Sequence, residues 1–354
     1  MSTTEETLAL MLRERARSFP ELVAQLSKDE NGVFQPITFA SFNEEAYTLA
    51  SGLLELGVTR GEAVGLMSDN RREWLLADYA VLALGAADVP RGCDSTADEI
   101  AYILGFCDCT VSFSETKKMT EKILSRKDKM PALSTIVMFD AVPQELRDEA
   151  AKLKVQILHF EELLEKGRPR RAQNPGEIDA EMDKGKRGDT ATIIFTSGTT
   201  GDPKGVMLSH GNFLHQLPSL KVILTVKPGD IWLSVLPVWH SFERIMEYVA
   251  PYLASTIAYS KPVGSIMLAD FAVVKPHWMA SVPRIWESVR DGVYRNLRQQ
   301  GGIKFKLFSF FVAVGTLHAY LRNLSLGLLP NFHGRIRILD SIIGFIPWIL
   351  ITPL

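Results

Sequence analysis

Thr190-Ala-Thr-Ile-Ile-Phe195 runs directly into Thr196-Ser-Gly-Thr-Thr-Gly-Asp-Pro-Lys-Gly205, and then into Val206-Met-Leu208. The first six residues are rich in β-branched and aromatic side chains at strand length, which reads as a buried strand. Val206-Met-Leu208 opens a second apolar run, and Ser209-His-Gly-Asn212 marks a helix start with Ser209 as its N-cap. Between the runs, Gly198, Gly201 and Gly205 free the backbone for a tight concave turn whose amide hydrogens converge on phosphate oxygens. Thr196, Ser197, Thr199 and Thr200 add hydroxyl donors, Lys204 adds a point charge, and Pro203 stiffens the approach to it. The spacing is not that of a Walker A loop, which keeps four residues between its glycines and places Lys directly after the second. A flexible Ser/Thr/Gly surface turn is the plainer reading of the composition. The order of these ten residues between two apolar strands favours the phosphate cradle.

Upstream, helical and strand periods alternate. Glu44 to Leu56 repeats apolar residues at helical spacing and stops at Gly57. Glu62 to Met67 is a short apolar run of strand length, and Arg72 to Ala86 reads as a strongly apolar helix that Asp88-Val-Pro90 leaves. Ala97 to Phe106 is a helix with an acidic first turn, as the helix dipole prefers. Thr110 to Phe113 and Thr135 to Phe139 read as strands. This alternation predicts an α/β fold of mostly parallel sheets flanked by helices. Gly167 to Asp189 interleaves basic and acidic residues with Pro and Gly, and reads as a solvated stretch. The expected organisation is a first α/β subdomain over 1–170, a polar linker over 171–189, and a second subdomain over 190–354.

Composition bounds the function. The 354 residues are 46% hydrophobic and 23% charged, with 18 Phe and 6 Trp to fill a core, as in ordinary folded proteins. A net charge of -2 supplies no broad positive field, which argues against nucleic-acid binding. Cys93, Cys107 and Cys109 form no paired zinc pattern. Cys107 and Cys109 would point the same way on a strand, but buried thiols of a reducing cytosol are the plainer reading. Ser341 to Leu354 and Leu307 to Ala319 are uncharged runs shorter than the roughly 20 residues of a spanning helix. The expectation is a cytoplasmic protein, with peripheral contact to the inner membrane surface left open.

Thr196 to Gly205 resembles the signature phosphate loop of the adenylate-forming (AMP-binding) superfamily, which includes acyl-CoA ligases, luciferases and peptide-synthetase adenylation domains. The resemblance implies a two-step reaction: a carboxylate attacks the α-phosphate of ATP, and a thiol then displaces AMP from the acyl-adenylate. It implies that Thr196, Ser197, Gly198, Thr199, Thr200, Gly201, Lys204 and Gly205 hold ATP, and that Mg²⁺ enters through the phosphates and Thr196. Leu236-Pro-Val-Trp-His-Ser-Phe-Glu-Arg244 resembles the His and Phe-Glu-Arg segment of long-chain fatty acid–CoA ligases. By that likeness His240 is catalytic beside Lys204 and Thr196, and Ser241, Phe242 and Glu243 line the acyl site. Ser281-Val-Pro-Arg-Ile-Trp-Glu287 is similar to a third segment of the subgroup. Pro283 is expected to start a helix with Ile285, Trp286 and Val289 as its buried stripe, and Val282 and Pro283 to approach the acyl channel. Met67-Ser-Asp-Asn-Arg-Arg-Glu-Trp-Leu75 also resembles the subgroup, as scaffold.

The implied substrates are a long-chain fatty acid, ATP and CoA. Adenylation of another carboxylate with transfer to a carrier protein stays open, because the phosphate loop sees only ATP. The family's Tyr-Gly-x-Thr-Glu segment, ribose-binding Asp and small C-terminal domain have no counterpart in these residues. The chain is therefore expected to be the N-terminal part of the large domain, with a partner chain or a non-catalytic remnant as further readings. The helices from Lys304 to Leu326 are expected to leave an apolar face uncovered and to drive self-association.

Overall fold

Eleven strands are found among the described residues, 5–196 and 203–329, of the computed structural model. They are β1 (Val23–Lys28), β2 (Phe34–Thr38), β3 (Ala63–Met67), β4 (Ala87–Arg91), β5 (Val111–Ser114) and β6 (Thr135–Met138), then β7 (Gln156–His159), β8 (Thr190–Thr196), β9 (Lys204–Ser209), β10 (Ile231–Ser234) and β11 (Thr256–Tyr259). One sheet has the order β7-β6-β5-β3-β4-β8-β9, and the other β10-β11-β1-β2. Both are parallel except at one edge, where β8 pairs β9 and β1 pairs β2 antiparallel. The mixed α/β architecture with flanking helices is the expected one.

The two faces of the larger sheet serve two cores, because successive side chains on a strand point to opposite sides. Leu66 and Val137 join a core shared with helices Leu8–Ser18, Phe39–Glu55 and Arg72–Ala83 and with Trp232, Ile257 and Tyr259 of the smaller sheet. Their neighbours Met67 and Ile136 face a second core with Ile100, Leu104 and Ile123. Helix Arg72–Ala83 lies inside the first core, with every residue from Trp74 to Ala83 buried. At about 1.5–3 kcal/mol for each large apolar side chain taken out of water, this helix fixes the spacing of the sheets.

Local signals hold for the helices. Thr38 caps helix Phe39–Glu55 through Ser41 N, and the chain turns beyond it at Gly57 with φ 85°. Asp88-Val-Pro90 leaves its helix as expected and enters β4, where Pro90 pairs with Leu66. Ala87 N–H donates to Glu62 O, so the odd residues of β4 face β3 and Pro90 faces β8. Proline has no N–H to offer there, and the β4–β8 register ends at Asp88↔Thr192.

The stretch 167–189 differs from expectation, since helices Phe160–Gln173 and Glu177–Met182 occupy much of it. Its charges are paired rather than simply solvated: Arg170 meets Glu177 at 2.8 Å and Glu55 at 2.9 Å, and Arg171 meets Glu44 at 2.9 Å. Glu44 and Glu55 belong to helix Phe39–Glu55, more than a hundred residues away, so a local reading cannot see the match. Glycines bring these helices together. A Cβ on Gly167 would lie 2.0 Å from Thr48 O, and one on Gly52 would lie 2.4 Å from Leu163 O.

The chain divides into a first unit, Met1–Ser281, and a second, Val282–Leu354. Within the second, Pro283 does start a helix, Pro283–Gln300, but the expected buried stripe is not buried: Trp286 is 54% exposed. Helix Gly302–Ser325 extends past the 13-residue uncharged run and is long and apolar enough, by length and composition, to cross a membrane. The short-run expectation missed this because Lys304, Lys306 and Arg322 lie inside the helix near its ends rather than terminating it. Cys107 caps a helix and Cys109 follows it, so the two do not share a strand. Burial pushes the Cys109 thiol up, and it remains a neutral core thiol.

Candidate active site

The hairpin β8–β9 carries the quoted motif. Residues 197–202, and with them Ser197, Gly198, Thr199, Thr200 and Gly201, lie outside the described residues. On their flanks Thr196 pairs with Lys204 and Phe195 with Gly205 across the antiparallel ladder. Directly opposed residues share a face, so the Thr196 hydroxyl and the Lys204 ammonium project together, both exposed. Gly205 lets β9 close over the aromatic below it, since a Cβ there would sit 3.2 Å from the Phe195 ring. Tyr102 packs edge-on to Phe195 at 6.2 Å and donates its hydroxyl to Pro203 O at 3.3 Å.

Arg91, at the end of β4, joins this hairpin to the His240 segment. Its guanidinium donates to Ser95 Oγ at 3.1 Å and reaches Phe195 O at 3.5 Å, and it pairs with Glu99. The same group lies 4.8 Å over the Trp239 ring. Gly92 makes room for that ring, because a Cβ there would fall 2.2 Å from Trp239 Nε1. The ends of β4 and β8 and the loop after β10 therefore meet in one place, outside the carboxyl ends of parallel strands where α/β folds bind ligands. A cavity of about 330 Å³ opens beside Trp239, lined also by Asp69, Asn70, Glu115, Lys261 and Val263.

His240 is the N-cap of helix Ser241–Tyr252, with Nδ1 accepting from Phe242 N at 3.3 Å. Its ring, Ser241 and Phe242 are exposed, while Glu243 turns inward and is buried. Burial first, and then the neighbouring Glu247, pushes the Glu243 carboxyl well above the usual carboxylate range. Glu243 is thus a support beneath the segment rather than a lining group. Arg244 anchors the helix from below: it donates to Asp78 at 2.6 Å, to Asp88 at 2.7 Å and to Tyr248 Oη at 2.7 Å, with its guanidinium 4.4 Å over Trp74. Despite burial, Asp78 and Asp88 hold the guanidinium charged. One guanidinium faces two carboxylates, and burial pushes Asp78 up to about 8 with Arg244 pulling it back. Val282 and Pro283 open the second unit, Pro283 at the first position of its helix.

Mg²⁺ keeps several waters and takes its remaining ligands from carboxylates and substrate phosphates. The exposed Thr196 hydroxyl beside Lys204 fits a role through the phosphates. Asp69, Cys93 and Glu115 bring ligand atoms within 4.8 Å of one another, but they satisfy each other. Glu115 Oε2 accepts from Asp69 N at 2.7 Å, Ser68 Oγ at 3.0 Å and Cys93 Sγ at 3.3 Å. Burial and then Glu115 raise the Cys93 thiol, leaving it neutral.

The AMP-binding enzyme family matches residues 12–322, a span that takes in both sheets, the hairpin and His240. The chain belongs to this family. This AMP-binding chain is 30% identical over 278 residues to long chain acyl-CoA synthetase 3 of Arabidopsis thaliana, covering 77% of the chain and 41% of that relative. It is 28% identical over 278 residues to the long-chain-fatty-acid–acyl-carrier-protein ligase AEE15 of the same plant, covering 76% and 37%. Its fold is similar to that of a long-chain-fatty-acid-CoA ligase from Archaeoglobus fulgidus, with a TM-score of 0.67 at 20% identity, over 84% of the chain and 55% of that structure. The chain thus spans less than half the length of the two plant relatives. Arg91 carried no signal in the sequence, whereas Trp239 and Asn70 lay inside the stretches Leu236 to Arg244 and Met67 to Leu75 without a role of their own.

Proposed function

We propose that this chain is the N-terminal part of a long-chain fatty acid–CoA ligase. The observation that carries the proposal is the junction at Arg91, which ties the Thr196/Lys204 hairpin to the Trp239-His240 segment in a chain 30% identical to a long-chain acyl-CoA synthetase. In the first step a fatty-acid carboxylate oxygen bonds to the α-phosphorus of ATP, and the bond to the bridging oxygen of pyrophosphate breaks. Negative charge grows on the departing pyrophosphate. Lys204 and the Thr196 hydroxyl are preplaced to neutralise it, which is electrostatic catalysis. Mg²⁺ would share that charge through the phosphate oxygens. In the second step the CoA thiol, losing its proton, bonds to the acyl carbon and AMP leaves. His240, exposed at a helix N-terminus, is assigned to the acyl carboxylate.

Two other readings have support. Transfer to a carrier protein is favoured by the similarity to the acyl-carrier-protein ligase. A role as one half of a two-chain ligase, or as a non-catalytic remnant, is favoured by the spans of 41% and 37% of the relatives' lengths.

Palmitate-dependent ATP–pyrophosphate exchange by the 354-residue chain, with Lys204→Ala as control, tests the proposal. Exchange abolished or reduced about 100-fold in the variant, as for loss of a transition-state charge contact, is the expected result. Undiminished exchange in Lys204→Ala would remove Lys204 from the mechanism. A silent wild-type chain would favour the half-enzyme or remnant reading. Offering CoA and a holo carrier protein in parallel separates the two acceptors.

A further inference from the structure

Asn70 follows β3 of the larger sheet, yet its amide is spent on the loop after β10 of the smaller one. Nδ2 donates to Ser234 Oγ, at the end of β10, at 2.7 Å and to Leu236 O in the loop at 2.6 Å, and Oδ1 accepts from Val238 N at 3.0 Å. Backbone chemistry fixes the amide's orientation, because Leu236 O can only accept and Val238 N–H can only donate. Both ends of the side chain are therefore required. An aspartate lacks the donors, and a glutamine is one methylene too long for the same three contacts. The chain of bonds continues inward, where Ser234 Oγ donates to Glu247 Oε1 at 2.7 Å. Glu247 lies on the helix that His240 caps. Outward, His240 N donates to Pro237 O at 3.0 Å, so the gripped turn, Leu236 to Val238, is the one on which His240 rests.

We infer that Asn70 is a positioning residue, a clamp that joins the carboxyl ends of the two sheets and sets His240 for the acyl carboxylate. A stretch that reads as scaffold in the sequence thereby acquires a part in the acyl site. Asn70 also borders the cavity beside Trp239, so the clamp stands at the edge of the space whose shape it controls. The clamp itself rests only on these contacts. Its consequence for the acyl group rests on the ligase reading.

The test uses the full chain with Asn70→Asp and Asn70→Ala, checked by far-ultraviolet circular dichroism and thermal melting. Hydrogen exchange of the peptide covering Val235 to Ser241 is measured first. The clamp predicts an increase of about tenfold or more there, from the loss of two or three hydrogen bonds, with the peptides of β3, β5 and β6 unchanged. No local rise, or a uniform rise over the whole chain, would overturn it.

Equilibrium dialysis with labelled palmitate and, separately, with ATP follows. Palmitate affinity is expected to fall about tenfold with ATP affinity unchanged, whereas a merely structural role would lower both. Equal losses, or palmitate binding that survives alongside the local rise in exchange, would overturn the assignment to the acyl site. A wild-type chain that binds no palmitate would overturn the acyl reading and this assignment with it, and the exchange data would still decide whether the clamp exists.

Discussion

Glu247 sits wholly inside the first unit, bonded to Ser234 and close to Arg244. Burial lifts its pKa from the ordinary 4.5 to about 7, and Ser234, Arg244 and Tyr259 only partly offset that rise. The folded chain therefore holds a proton on this carboxyl between about pH 4.5 and 7 that the unfolded chain has released. Folding stability falls as pH rises through that window, and the cost is complete above it. Glu247→Gln keeps an acceptor for Ser234 and removes the titration. The variant is expected to gain stability relative to wild type on going from pH 5 to pH 8, by up to about 3 kcal/mol. Urea unfolding of both proteins at several pH values measures the difference. Curves that stay parallel across the window would show that Glu247 is charged when folded. Glu243, raised in the same direction by burial and by Glu247 itself, is expected to add to the wild-type slope.

Helix Ser241–Tyr252 connects the exposed and buried halves of the candidate site. His240 stands at its N-cap, and one turn further Arg244 is locked between Asp78 of helix Arg72–Ala83 and Asp88 of β4. Removing the guanidinium strands two buried carboxylates, which typically costs about 3–5 kcal/mol. Arg244→Met is expected to lose that much, read from the urea midpoint at neutral pH. Arg244→Lys should recover only part, because a single ammonium cannot reproduce the forked contacts or the stacking over Trp74. A loss below about 1 kcal/mol for Arg244→Met would mean that the buried carboxyl pair needs no counter-charge. At this scale the sequence is informative where signals are local. The β8 strand, the Ser209 cap, the Arg72–Ala83 helix and the α/β alternation all follow from period and capping. The pairing of Arg171 with Glu44, the seat of Pro90 inside β4 and the reach of Asn70 to Leu236 do not. Each depends on which distant strand or helix becomes a neighbour, and no local pattern encodes that. The same holds for the site: Lys204 and His240 stand out by motif, whereas Arg91, which joins them, looks in sequence like any charge at a strand end.

At the scale of the whole molecule, the second unit sets the behaviour in solution. Helix Gly302–Ser325 exposes Ile303, Leu307, Phe310, Phe311 and Leu317, each about half or more accessible. Only Leu321 and Leu324 of that helix are buried. Contiguous apolar area on this scale is uncommon on monomeric soluble proteins and marks a contact surface. Burying three such side chains in a self-contact would contribute several kcal/mol at about 1.5–3 kcal/mol each. That is of the same order as the roughly 4–15 kcal/mol cost of lost rotational and translational freedom, so the association is weak and set by concentration. The chain is therefore expected to self-associate, with an apparent mass by light scattering that rises with concentration. Replacing Leu307, Phe310 and Phe311 by Ser should return it toward the 39.5 kDa of a single chain. Because these residues lie outside the first unit, far-ultraviolet circular dichroism and the urea midpoint of that unit should hardly change. A monodisperse wild-type monomer at every concentration would show that this surface is covered within the chain itself. An association unaffected by the triple substitution would move the contact elsewhere, to the exposed edge strand β9 with Val206 and Met207, a sheet edge being the next template for pairing.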